Sequence, residues 1–163
     1  MRTKFIRTQN VNNFIGLIEN LKAKPQNIPK MGLVYGEPGG GLGNRKRHFG
    51  SLASTIRLYS LCEQITAWWL LEEMAKELDE IPRYMTSDIF NQCVTALCKK
   101  PKIIIIDEID YLLGDNKTIK TLRDIHDKTD YPIIFVGMGL AHKRFERHKH
   151  LYDRISEIVK FET

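Results

Sequence analysis

Ile103-Ile104-Ile105-Ile106-Asp107-Glu108 decides the fold. Four consecutive β-branched residues favour an extended strand. With no polar residue among them, neither face of that strand can meet water, so it belongs inside a sheet covered on both sides. Its carboxyl end delivers two acids to the sheet edge, where open α/β folds place their ligands. Two similar runs lie either side of it in the chain: Met31 to Tyr35, closed by Gly36, and Pro132 to Gly137.

Around and between these runs the apolar spacing is helical. Val11, Phe14, Ile15, Ile18 and Leu21 mark one helix, ending in the Lys-Pro-Gln-Asn stretch after Lys24. Trp68 onward (WWLLEEMAKEL) marks a second. A third, capped by Thr86 or Ser87, carries Ile89, Phe90, Val94 and Leu97. Helical residues recur around Ile119 to His126, a basic helix spans LAHKRFERHKH, and EIVKFE reads as a last strand. Strands alternating with helices specify an α/β fold: a three-layer parallel sheet with helices on both faces, in one domain over residues 1–163 with a helical lead-in at 1–30.

Length and charge agree. A chain of 163 residues, 42% hydrophobic and 28% charged, suits one soluble domain. No apolar run reaches the roughly 18 residues of a membrane helix, and MRTKFIRTQN lacks the apolar core of a signal peptide. A cytoplasmic location and no membrane partner are expected. The three cysteines, Cys62, Cys93 and Cys98, match no disulfide framework or zinc spacing and read as free thiols of the helical core. The net charge of +5 is compatible with a nucleic-acid partner. Arg45, Lys46, Arg47 and Arg57 against Glu63 place three of those charges within residues 45–64, and Lys143 to Lys149 is the main basic concentration elsewhere.

After the first strand comes Gly36-Glu37-Pro38-Gly39-Gly40-Gly41-Leu42-Gly43-Asn44. Such a loop lets successive backbone N–H groups converge on phosphate oxygens. A phosphate-binding loop also requires Lys and then Ser or Thr after its last glycine. Asn44 and Arg45 hold those places, and the loop is about two residues longer than the usual spacing. A turn without a ligand is the alternative reading.

Taken together, these motifs resemble AAA+ ATPases, and most nearly the transposition group typified by the phage Mu B protein and the TnsC ATPases. The resemblance is carried by MGLVYGEPG (Met31 to Gly39), KIIIIDEIDYL (Lys102 to Leu112), PIIFVGMGL (Pro132 to Leu140) and LYDRI (Leu151 to Ile155), leaving out Gly40 to Gln64. It implies ATP and Mg²⁺ as cofactors, with Gly36, Gly39, Gly41, Gly43 and Asn44 around the phosphates. It assigns Asp107 to the metal, Glu108 to the attacking water, and Arg154 to a neighbouring subunit's site. The polar sensor usual after the fourth strand is replaced by Gly137-Met138-Gly139, and the helical lid usual after the core is expected to be absent.

The partners implied are DNA, a transposase or other recombination protein, and further copies of the chain. Two alternatives are a helicase-loading or replication-initiation module, and a non-enzymatic relative that binds without hydrolysis. Residues 45–64 fit neither helix nor strand periodicity. Read one nucleotide earlier, their codons are compatible with a Thr-Lys-Ala series suited to the missing helix. A compensating pair of frame changes would then have replaced that helix and the second strand.

Overall fold

The computed structural model describes residues 9–37, 55–59 and 65–161. Five strands form one parallel sheet: β1 (Met31–Gly36), β2 (Thr55–Tyr59), β3 (Ile103–Asp107), β4 (Ile133–Met138) and β5 (Ile155–Phe161), in the order β2-β3-β4-β1-β5. The helices are α1 (Gln9–Ala23), α2 (Ala67–Glu77), α3 (Thr86–Lys99), α4 (Ile109–Leu112), α5 (Asn116–Thr129), α6 (Ala141–Glu146) and α7 (Lys149–Tyr152). The expected α/β architecture is present.

Alternation along each strand divides the core in two. Met31, Leu33, Ile104, Ile106, Ile133 and Phe135 face α2, α3 and α5. Val34, Ile103, Ile105, Ile134 and Val136 face the other way, where Phe14, Leu17, Ile18 and Leu21 of α1 cover them. Every residue of β3 is buried, as its unbroken apolar run requires. Each such Ile or Phe contributes about 1.5–3 kcal/mol by leaving water. Gly32 lets α1 approach: a Cβ there would stand 3.1 Å from Leu21 Cδ1.

Three local expectations are corrected. The second strand is present, with Ile56 and Leu58 of β2 buried against the core and pairing with β3. As a five-residue edge strand, it carries too short an alternation to stand out from its flanks. Residues 45–54 and 60–64 lie outside the described residues.

The helix expected through 140–150 is two helices. Ala141 and Phe145 share one buried face, but Leu151, six residues on from Phe145, would point about 240° away on a continuous helix. The break at Arg147 and His148 turns Leu151 into the core. Finally, α3 is capped by neither Thr86 nor Ser87: Met85 is the N-cap residue, without a side-chain bond.

Of the thiols, Cys93 is buried and Cys98 exposed, and Cys62 lies outside the described residues. Burial, aided by Glu80, pushes the Cys93 thiol up to about 12. No described helix is long and apolar enough to cross a membrane.

Candidate functional site

In a parallel sheet all strand ends of one polarity share an edge. β4 lies between β3 and β1, so the carboxyl ends of β1 and β3 flank that of β4. The register makes this edge stepped. Gly36 is level with Met138, while Ile106 pairs with Phe135, so Asp107 stops two residues lower. Asp107 is only 2% exposed. Its Oδ1 accepts a hydrogen bond from the Glu108 amide at 2.8 Å.

Glu108 then turns the chain in the left-handed region, at φ 54°. This conformation costs a non-glycine residue on the order of 1 kcal/mol. It lets α4 start at once, burying Ile109 and sending Asp110 across to β4. Asp110 Oδ2 accepts from the Met138 amide at 2.9 Å, and its Oδ1 lies 3.6 Å from Arg144 Nη1. Asp110 thus ties the end of β4 to α6, a role that sequence reading missed because its partners lie far along the chain. Gly137 permits this closeness: a Cβ there would meet Ala141 Cβ at 2.4 Å and Ile109 Cγ2 at 2.8 Å. At Gly139 a Cβ would fall 2.6 Å from Glu37 Oε1, which places the Glu37 carboxylate over the β4 turn.

Glu37, Glu108, Tyr111, Met138, Leu140 and Arg144 wall a cleft of about 380 Å³, and the buried Asp107 is not among its lining residues. Gly36 ends β1 beside it, buried. Gly39, Gly41, Gly43 and Asn44 lie outside the described residues. The acids offer hard oxygen ligands. Among the described residues no three His, Cys, Asp or Glu groups stand together as a metal cage. Mg²⁺ characteristically takes one or two carboxylates plus phosphate oxygens, so a single buried carboxylate fits it.

The profile of the AAA domain family matches residues 27–145, which runs from the turn before β1 through both acids to α6. The chain belongs to the AAA domain family.

The solved structures similar to this AAA domain agree on the fold. The Aeropyrum pernix ORC1 protein in complex with DNA matches with a TM-score of 0.67 at 15% identity, over 98% of this chain and 46% of that one. The Walker-type ATPase of Pyrococcus abyssi gives 0.56 at 18%, over 99% and 56%. Drosophila ORC bound to AT-rich DNA and Cdc6 gives 0.52 at 11%, over 94% and 61%. The AAA domain therefore spans about half the length of these chains. No curated protein matches it significantly.

Arg154 lies at the other end of the sheet. It immediately precedes β5, whose first residue pairs with the first residue of β1. At ~3.3 Å per residue, the six residues of β1 separate this edge from the cleft by roughly 17–20 Å. Arg154 Nε and Nη2 donate to both oxygens of Asp127, at 3.2 and 3.0 Å, and Nη1 donates to the His150 carbonyl at 2.9 Å. Next to Asp127, the His126 Nε2 accepts from the Lys30 amide at 3.0 Å. Lys30 Nζ in turn pairs with Asp130 at 2.6 Å.

Burial alone would raise Asp127, but the hydrogen bonds from Arg154 and His126 outweigh it and hold the carboxyl below its ordinary range. His126 is held below the ordinary imidazole value by burial, against the opposing pull of Asp127. The folded AAA domain then binds fewer protons here than the unfolded chain, so stability is present above about pH 6.5 and falls on acidification toward the depressed value. Thermal melts from pH 7.5 to 5.5 are expected to show a falling Tm. The slope should flatten in His126→Gln, and an unchanged slope would remove His126 as its source.

Proposed function

We propose that this AAA domain binds ATP with Mg²⁺, hydrolyses it slowly, and couples nucleotide state to binding DNA. The observation that carries the reading is the buried carboxylate of Asp107 on the stepped strand end, across β4 from Gly36 at the end of β1. Asp107 holds the metal, directly or through water. The motif resemblance assigns backbone N–H groups of Gly36, Gly39, Gly41, Gly43 and Asn44 to the phosphates. Mg²⁺ held there would supply charge neutralisation for a transferring phosphoryl group. Glu108, half-buried one residue beyond Asp107, polarises the attacking water. Without the loop Lys and Ser/Thr, phosphate grip is weaker than the fold normally provides, hence the slow turnover.

Arg154 lies at the opposite sheet edge from its own cleft, and the motif resemblance assigns it to a neighbouring copy, where its guanidinium, released from Asp127, would offset charge on the γ-phosphate. This reading makes a homo-oligomer the working form. The likeness to ORC chains whose structures contain DNA supports the DNA half, in a replication-initiation role. The motif resemblance to transposition ATPases supports target delivery to a transposase instead. A neighbouring transposase gene or a replication operon separates those two tasks.

A thermal shift tests the nucleotide half. At ATP about 100-fold above Kd, binding contributes about 2.7 kcal/mol. In a domain of this size Tm then rises by about 5–11 °C. The Mg²⁺-dependent part should vanish in Asp107→Asn. No shift with ATP, with or without Mg²⁺, would sink the reading and leave a module that binds without nucleotide.

A further inference from the structure

We propose that the groove between α5 and the α6–α7 turn is a binding surface for the phosphate backbone of double-stranded DNA. Lys120 and Arg123 line it from α5, one helical turn apart, and Arg147, His148, Lys149 and His150 line it from the turn opposite. The break that brings Leu151 into the core lies within this stretch, so these four residues share the groove with α5. The groove measures about 640 Å³ and shares no residue with the cleft at the carboxyl edge.

Its chemistry selects the occupant. No carboxylate lines it among the described residues, although acids make up 20 residues of the whole chain. Arg123 is paired with Asp124 at 3.0 Å, whereas Lys120, Arg147 and Lys149 are exposed and form no ion pair among the described residues. Three unneutralised cations and two imidazoles around one concavity favour a polyanion, since each phosphate they neutralise releases condensed counterions. No Phe, Tyr or Trp ring lines the groove either. Single-stranded nucleic acid is held largely by bases stacking on such rings, so this surface suits a duplex read through its backbone. Ile119 and Leu151, its apolar floor, are already buried against the core and leave little to recruit an apolar peptide.

The inference rests on the DNA half of the proposed function and gives it a location. It needs no nucleotide, which separates its test from that of the cleft. Fluorescence anisotropy with a labelled duplex, on the full chain without ATP, should give a plot of log Kobs against log salt with a slope of about −3 or steeper. The variant Lys120→Glu/Arg147→Glu/Lys149→Glu should lose at least about tenfold in affinity at about 0.1 M salt. Its slope should fall by roughly one for each phosphate contact removed. The neutral Lys120→Gln/Arg147→Gln/Lys149→Gln variant should lose affinity in the same direction, with an unchanged Tm showing that the fold is intact.

If both variants bind duplex as the parent does, the groove assignment is overturned and DNA binding lies elsewhere. If the parent binds no duplex either without or with ATP and Mg²⁺, the groove and the DNA half of the proposed function fall together. If poly-glutamate competes as well as duplex at equal charge, the surface is one for acidic protein and the DNA assignment fails.

Discussion

Glu108→Gln is expected to reduce ATP hydrolysis by at least about 100-fold while leaving ATP binding within a factor of a few. Removing a positioned general base typically costs 10²–10⁴ in rate. Gln keeps the size of the side chain and can follow the same left-handed backbone at φ 54°, so the turn into α4 should survive. It loses the charge that draws a proton from water. Single-turnover hydrolysis alongside a thermal shift with ATP separates the two effects. Equal hydrolysis in parent and variant would remove Glu108 from the reaction, and a lost thermal shift would make it a binding residue instead.

The largest structural effect is expected from Gly137→Ala. The added methyl would sit 2.4 Å from Ala141 Cβ and 2.8 Å from Ile109 Cγ2, neither of them the far end of a flexible chain. Either α4 or α6 must move from β4. Overpacking of this kind costs about 1–3 kcal/mol, and the Asp110 bond to the Met138 amide adds about 1 kcal/mol if the shift breaks it. A loss near 3 kcal/mol lowers Tm by about 6–12 °C in a domain of this size. Gly16→Ala is the control. Its Cβ meets nothing within 4 Å, and in the interior of α1 it should stabilise by about 0.5–1 kcal/mol. A Gly137 variant as stable as the parent would mean that β4 and its helices shift apart freely, against the packing described.

The parts of this fold that could be read from sequence are those where one local pattern suffices. The all-apolar runs of β1, β3 and β4 each exclude water from both faces and hence specify a covered parallel sheet. Part of the cleft could be read the same way: Glu108 directly follows β3 and lines it, whereas Glu37, Tyr111, Met138, Leu140 and Arg144 carried no local signal. What could not be read depends on distant partners or on short segments. β2 has only Ile56 and Leu58 to announce it. The α6–α7 break follows from where the core accepts Leu151. The ties of Asp110 to Met138 and of Asp127 to Arg154 span 28 and 27 residues, a separation at which sequence carries no pairing signal.

The placement of Arg154 at the amino edge has a consequence for reaction order. On the proposed function each copy carries acids at one end and the completing guanidinium at the other, so no lone copy holds a whole reaction centre. Specific activity, a constant for a self-sufficient enzyme, then climbs with chain concentration and levels off only when every cleft has a neighbour. Dilution becomes an off-switch that needs no inhibitor, and anything that gathers copies along a scaffold becomes an activator.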